Sequence, residues 1–348
     1  MATNMNWTAA CLQVFTTVLR DIKTRDEAMH LVATKLDHVE RLVAEATADG
    51  KVRLLLLPEF FLSGSPQGAT TEQWMERACL DIDGPEIDRI QGWASRHKVF
   101  IGANAYCTSA LFPGRFLNTS FLISPSGDII LKAYRIHTGI AASPHDFLKE
   151  FLDKVGIDGL FPVVKTELGH LAMVTSTDLA WPEVPRAHIL RGAEVLLHPA
   201  SESPLQKEIL EPVRRARAVE NMAYVVSCNT AGSAFAGTYG TAAADQPPAT
   251  SKIFDLDGKI IAAASEGEAI NCRAEIDLAA VRKRRANPSG LNYLAGLRVE
   301  TFTEVYAKTS IYPPNTWSTG TLNYIAQTPA HLQQAVARMK AQGMLPEA

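Results

Sequence analysis

Met173-Val174-Thr175-Ser176-Thr177-Asp178-Leu179-Ala180-Trp181-Pro182-Glu183 is the stretch on which the reading of this chain turns. Its apolar start completes a strand that begins near Leu171, just after a turn at Gly169. Pro182 then opens a helix running to about Arg191, proline being tolerated in a first helical turn. Ser176 therefore stands where a strand gives way to a turn.

The alternation of strand and helix patterns extends in both directions and predicts an α/β layer architecture. Upstream, Met29, Val32, Leu36, Val39 and Val43 recur at spacings of three and four, predicting an amphipathic helix over 25–49 that stops at Gly50. The run 52–57 is continuously apolar and ends at Pro58-Glu59, suited to a strand buried on both faces. Gly84-Pro85 opens a helix to about Arg96, and 99–105 reads as the next strand. Strands over 116–124 and 128–134 flank the turn Pro125-Ser126-Gly127, and Ser143-Pro144 starts a helix to about Val155. Beyond the opening stretch come strands at 161–166, 195–198 and 224–229, a helix over 208–221, a hairpin across 252–264 and a strand at 269–276. After about Lys308 the pattern weakens, and a last helical piece spans 329–342. Residues 1–307 are predicted to form the main domain, with 308–348 too short for a second one and expected to lie over the body or over a partner subunit.

With 348 residues, 47% hydrophobic and 20% charged, the composition is that of a globular protein. The net charge of -3 gives no electrostatic reason to expect nucleic acid or an anionic membrane as partner. No apolar run approaches the ~20 residues of a membrane span, and the start of the chain lacks the pattern of a secretory leader. A cytoplasmic protein is expected. The five cysteines (Cys11, Cys79, Cys107, Cys228, Cys272) show no CxxC pairing, so neither a disulfide framework nor a zinc site is implied, and each reads as a small buried apolar residue. Asn118-Thr119-Ser120 matches a glycosylation sequon by chance. Arg282-Lys283-Arg284-Arg285 reads as a solvated helix face.

Several segments, in order, resemble the nitrilase (carbon–nitrogen hydrolase) superfamily. Leu54-Leu55-Leu56-Leu57-Pro58-Glu59-Phe60-Phe61-Leu62-Ser63-Gly64 is similar to its first motif, and Lys132-Ala133-Tyr134-Arg135-Ile136-His137 to its second. Ser176 to Glu183 resembles the third, with serine where the family carries its cysteine nucleophile. The segments 191–199 and 217–229 add two scaffold likenesses, so the resemblance covers roughly 7–306. It implies a four-layer α-β-β-α sandwich and a Glu-Lys-Cys chemistry: a glutamate base, a lysine stabilising the oxyanion and a thiol attacking an amide or nitrile carbon. No cofactor and no metal are implied.

Carried over residue by residue, the resemblance assigns Glu59 as the base and Ser176 as the nucleophile position. Aligning 132–137 on its spacing to His137 puts Arg135 at the lysine position; using Lys132 instead breaks that spacing. The second glutamate that many members carry falls at Ser143. A hydroxyl is far less acidic than a thiol and needs a good base and a well-formed oxyanion hole. Glu59, the permanent charge of Arg135 and the Thr177 backbone N–H are the candidate suppliers, and arginine cannot shuttle protons. Trp181 packs the turn or walls the pocket, and His198 lines the pocket or is a hydrogen-bonded structural histidine. His145-Asp146 reads as a helix start, His137 as a partner of nearby backbone, and Asp178 and Glu183 as residues holding the turn and its helix. Pocket walls are expected from the loops 64–73, 138–147 and 201–208.

Two functions follow as expectations. One is an amidase-like hydrolase of a small amide, carbamoyl or nitrile substrate, in which Ser176 attacks or Glu59 activates water directly. The other is a catalytically silent homologue acting as a small-molecule binding or assembly protein. Since members of the family associate through outer helices, a homo-oligomer, dimer or higher, is implied.

Overall fold

The computed structural model describes residues 5–66, 69–202, 204–233, 250–317 and 324–345. The loop positions Gln67, Gly68 and Ser203, expected in pocket walls, and tail residues 318–323 and 346–348 lie outside the described residues. In chain order the elements are β1 (Asn6–Gln13), β2 (Phe15–Thr16), α1 (Arg25–Thr47), β3 (Val52–Leu56), α2 (Thr71–Ala78), β4 (Leu80–Asp81), α3 (Pro85–His97), β5 (Phe100–Thr108), β6 (Phe116–Ile123) and β7 (Ile129–Tyr134). Then follow α4 (Leu148–Leu160), β8 (Val164–Thr166), β9 (Gly169–Met173), α5 (Glu183–Leu190), β10 (Val195–Pro199), α6 (Pro204–Asn221), β11 (Tyr224–Cys228) and β12 (Gly232–Ser233). The chain ends with β13 (Lys252–Phe254), β14 (Ile260–Ala263), β15 (Ala269–Asp277), α7 (Leu278–Ala286), α8 (Glu300–Lys308) and α9 (Tyr324–Ala341).

Two large sheets result, one ordered β15-β1-β3-β5-β6-β7 with β4 beside β5, the other β14-β13-β11-β10-β9-β8, and β2 pairs with β12 in a separate two-stranded parallel ribbon. Side-chain alternation along the strands assigns each residue to a layer. Leu54 and Leu56 of β3 meet Met173, Leu197 and Val226 between the sheets. Leu55 and Leu57 point the other way, onto Val32 and Leu36 of α1 and Ile87 and Trp93 of α3. On the second sheet, Ala172, Leu196 and Val225 face Val184, Ile189 and Ala218 of α5 and α6. The stacking order is therefore helix, sheet, sheet, helix, the expected four-layer sandwich. Each such fully buried leucine or valine is worth about 1.5–3 kcal/mol of removed apolar surface. Between the sheets Gly102 leaves no room for a side chain: a Cβ there would lie 2.6 Å from Leu56 Cδ1 of its own sheet and 3.3 Å from Met173 Cε of the other.

Several local expectations need correction. The helix expected from Ser143 begins as a 3-10 turn, Pro144–Phe147, and α4 follows with a break at Gly156, whose φ of 66° lies outside the helical region. The strand expected at 161–166 keeps only Val164–Thr166; Pro162 lacks the N–H that a ladder needs. The basic run is a solvated face only in part, with Lys283 exposed and its arginines committed to partners. Arg282 binds Glu194 through both Nε and Nη2, and Arg285 donates to the carbonyls of Asn221 and Met222 at the end of α6. All five cysteines are buried free thiols.

The C-terminal segment packs on this chain's own 137–147 loop. Asn315 and Trp317 donate backbone N–H bonds to the carbonyls of His145 and Asp146 (3.0 and 2.8 Å), and Thr328 donates from Oγ1 to Gly139 (2.9 Å). Trp317 completes a cluster with Phe112, Phe147 and Phe151. By contrast α8 buries none of its residues, and Phe302, Val305 and Tyr306 are exposed on it. No helix among the described residues is long and apolar enough to cross a membrane.

Candidate active site

Strand direction decides where the candidate residues meet. β3 runs parallel to β5, β5 antiparallel to β6, and β6 antiparallel to β7, so β3 and β7 end at the same edge of their sheet. Glu59 follows β3 and Arg135 follows β7 at that edge. Across the interface, β9 and β10 run parallel, and Ser176 follows β9. The Glu59 N–H donates to Ala200 O just past β10 (3.3 Å), which ties the two sheets together at this end. Ligand sites of α/β sheets gather outside such carboxyl ends.

Glu59 is almost fully buried, 1% exposed, yet its carboxylate has donors. Oε1 accepts from Asn118 Nδ2 at 2.7 Å and from Arg135 Nη1 at 3.0 Å, and the Ser176 side chain lies near enough to this carboxylate to favour its ionised form. Burial raises its pKa above the ordinary carboxylate value, while Arg135, Asn118 and Ser176 pull it back down. A buried ladder of side chains holds both turns in place. Asn104 accepts the Phe60 N–H (2.8 Å) and donates to Asn118 Oδ1 and Ser120 Oγ (2.7 and 2.9 Å). Ser120 in turn bonds the Thr175 hydroxyl at 2.7 Å, one residue before Ser176.

Arg135 spends three N–H groups on fixed partners: Nη1 on Glu59, Nη2 on Thr177 Oγ1 (2.6 Å) and Nε on His137 O (3.1 Å). Burial works against its charge, but Glu59 and Asp178 more than restore it, and its pKa lies above the usual value. The guanidinium is a permanent cation here.

The turn itself is strained. Ser176 has φ of +52° and Phe60, beside Glu59, has φ of +35°, left-handed conformations that cost a non-glycine residue about 1–3 kcal/mol. Asp178 supports the turn by accepting the N–H groups of Ile136 and His137, both at 2.7 Å, so it couples the end of β7 to the Ser176 turn. His198 is buried; its Nε2 donates to Ser176 O (2.9 Å), and its Nδ1 lies 2.8 Å from Ser227 Oγ. Trp181 is half exposed and stacks on His137, ring centroids 4.2 Å apart, and His137 Nδ1 bonds Asp178 at 2.9 Å. Ser143, at the position of the family's second glutamate, donates to Ile136 O at 2.6 Å. Among the described residues no group of three or more His, Cys, Asp or Glu could hold a metal ion.

The geometry thus brings Glu59, Arg135, Ser176 and Thr177 together, puts His198 behind Ser176, and leaves Trp181 at the rim beyond His137. Sequence reasoning missed Asn104 and Asn118, and it gave Asp178 no partner across the site. The available signal for the asparagines was a pair of carboxamides inside otherwise apolar strands, where a buried polar group needs a partner.

The chain matches the model of the carbon-nitrogen hydrolase family over residues 30–286. It is similar to a formamidase of Bacillus cereus (strain G9842), 29% identical over 182 residues, covering 52% of this chain and 51% of that protein. It is also similar to the bifunctional nitrilase/nitrile hydratase NIT4A of Lupinus angustifolius, 25% identical over 218 residues and 56% of each. The chain thus spans about half the length of the curated relatives it matches. In fold it is similar to a carbon-nitrogen hydrolase from Helicobacter pylori G27, with a TM-score of 0.67 at 20% identity, covering 88% of this chain and 100% of that one. With its family model matched across most of the sandwich, this chain belongs to the carbon–nitrogen hydrolase family.

Proposed function

We propose that this chain hydrolyses a carbon–nitrogen bond in a small amide, carbamoyl or nitrile substrate, using Glu59, Arg135 and Ser176 in a divergent form of the family site. The observation that carries the reading is the convergence of Ser176 and Arg135 on the buried Glu59 carboxylate, which lies 3.0 Å from Arg135 Nη1. For an amide, Ser176 Oγ attacks the carbonyl carbon as Glu59 takes the hydroxyl proton. Arg135 and the Thr177 N–H stabilise the oxyanion, and Glu59 passes its proton to the departing nitrogen. Water, deprotonated by Glu59, then attacks the resulting ester, and the proton returns to Ser176 as the acid leaves. The formamidase and nitrilase likenesses support a substrate of amide or nitrile type.

A second reading, a catalytically silent homologue that binds a small molecule or serves in an assembly, draws on Arg135, whose N–H groups are partly spent on Glu59, Thr177 and His137. Ammonia release across an amide, carbamoyl and nitrile panel separates the two. Wild type is compared with Ser176→Ala, Glu59→Gln and the double variant Ser176→Cys/Arg135→Lys. Turnover by wild type that is lost in Ser176→Ala and Glu59→Gln is the expected result. An inert wild type beside an active double variant sinks the hydrolase reading. Full activity in Ser176→Ala removes the nucleophilic serine and leaves Glu59-activated water. We further propose that residues 1–307 form the catalytic unit with 308–348 as its strap, and that copies associate through the uncovered face of α8, which light scattering in solution tests.

A further inference from the structure

The turn at Ser176 has an anchor that its catalytic reading does not use. His198 reaches Ser176 from β10, and it binds the backbone carbonyl rather than the hydroxyl. A carbonyl oxygen only accepts, so Nε2 carries the ring proton and Nδ1 accepts from the Ser227 hydroxyl. Both ring nitrogens are thereby committed. The peptide that links Ser176 to Thr177 is planar and trans, so its C=O and N–H point in opposite directions. With the oxygen held toward His198 on the core side, the Thr177 N–H is turned to the other side, and it has no hydrogen-bond partner among the described residues. The residue that carries this carbonyl has a left-handed backbone (φ +52°), a strained conformation for a non-glycine residue.

We propose that His198 is a positioning residue for oxyanion binding: by fixing the Ser176 carbonyl it aims the Thr177 N–H at the oxygen that becomes negative when Ser176 attacks. The inference rests on the serine-nucleophile reading above. Burial, with Arg214 and Arg135 nearby, pushes the His198 pKa down to about 3. The anchor is therefore a neutral donor throughout the working range and adds no charge of its own to the site.

Three substitutions test this. His198→Phe keeps a planar ring without a donor. His198→Gln can present an amide N–H where Nε2 was, and His198→Asn, equally polar, falls short of Ser176. Each variant is assayed for hydrolysis of formamide, acetamide, butyramide and benzamide, and for binding of these amides and of the matching aldehydes, which form a tetrahedral adduct on the serine. Removing an oxyanion donor outright costs about 100- to 1,000-fold in kcat, and a misdirected donor a part of that. Expected for Phe and Asn is a loss of about 10- to 100-fold in both kcat and aldehyde affinity, with amide affinity and KM within about twofold. Gln recovers most of it. Should Phe fail to fold, the contrast of Gln with Asn decides, because both keep a polar group in the cavity. The proposal is overturned if Gln and Asn lose equally, or if amide and aldehyde affinities fall together as in a general deformation. A wild type that neither hydrolyses these amides nor binds these aldehydes overturns the serine reading itself, and shows it before any variant is made.

Discussion

Replacing Arg135 by Met tests the electrostatic account of the site without any substrate. Glu59 is 1% and Arg135 12% exposed, so the pair sits in a medium that screens poorly. Deleting the cation leaves the Glu59 carboxylate with the Asn118 amide as its side-chain donor among the described residues, and breaking one side of a buried pair costs about 3–5 kcal/mol. The protein has an escape, which is to protonate Glu59. Burial already holds its pKa above the unfolded value of 4.5, and removing Arg135 lifts it further. A carboxyl raised in this way contributes its stability in full below the unfolded pKa and loses it as pH climbs through the folded one. The penalty in Arg135→Met therefore grows from pH 5 to pH 8, by about 1.4 kcal/mol for each pH unit between the two folded-state pKa values. Urea unfolding of wild type and variant at both pH values measures it. The expected result is a destabilisation of about 3 kcal/mol or more at pH 8 that shrinks by about 1–3 kcal/mol at pH 5. Adding Glu59→Gln should relieve much of the loss at pH 8. Equal penalties at both pH values would show that Glu59 is not the group left exposed to the loss, and the reasoning would fail.

Other consequences are checked on the same footing. Asn118→Leu strips a donor from Glu59 and an acceptor from Asn104, and should cost about 2–4 kcal/mol in urea unfolding; a loss below about 1 kcal/mol would mean the ladder does not hold the site. Trp317→Ala empties part of the Phe112–Phe147–Phe151 cluster and should cost about 3–5 kcal/mol, provided the strap unfolds with the body. A separate early transition in the wild-type melt that vanishes in Trp317→Ala would contradict that provision. Glu194 is lowered despite its burial, by Arg282 and the His170 N–H, so its stabilisation holds above its unfolded pKa and is lost as pH falls through the folded one. Arg282→Gln should move the acid-unfolding midpoint to higher pH, and an unchanged midpoint would discount the pair.

The parts of the fold that were legible in the sequence are those where one physical signal dominates. The run Leu54-Leu55-Leu56-Leu57 predicts a strand buried on both faces, and the structure divides those leucines between the inter-sheet core and the α1–α3 layer. Pro58-Glu59 and the Ser176 turn were legible as strand ends. What stayed hidden depends on contacts distant in sequence. Asn104 and Asn118 lie in strands whose surrounding residues say only that they are buried; that they face Glu59 follows from the register of β5 against β6. Arg282 and Arg285 looked solvated because their partners, Glu194 and the end of α6, lie more than sixty residues away in the chain. His198 admitted two roles until the structure showed its ring buried between Ser227 and Ser176.

That arrangement bears on why a hydroxyl can stand where a thiol is usual. Arg135 cannot release a proton, His198 is neutral and bound at both nitrogens, and His137 is engaged by Asp178. Glu59 is then the titratable group beside Ser176 to which the proposed mechanism gives the hydroxyl proton. Its environment pulls in two directions that both matter. Burial raises its basicity toward what a weakly acidic hydroxyl requires, and Arg135 with Asn118 pulls the other way, toward the ionised form that can accept a proton. A thiol would form an anion beside that carboxylate and compete with it for one guanidinium, whereas a hydroxyl stays neutral until attack. Under the proposed mechanism serine and arginine form a matched pair: the fixed cation serves Glu59 at rest, and the negative charge of the reaction appears on the substrate oxygen, toward which we propose that the Thr177 N–H is aimed. Under that proposal the Glu59–Arg135–Ser176 set is coherent as electrostatics, with the burden shifted from activating the nucleophile to holding the oxyanion.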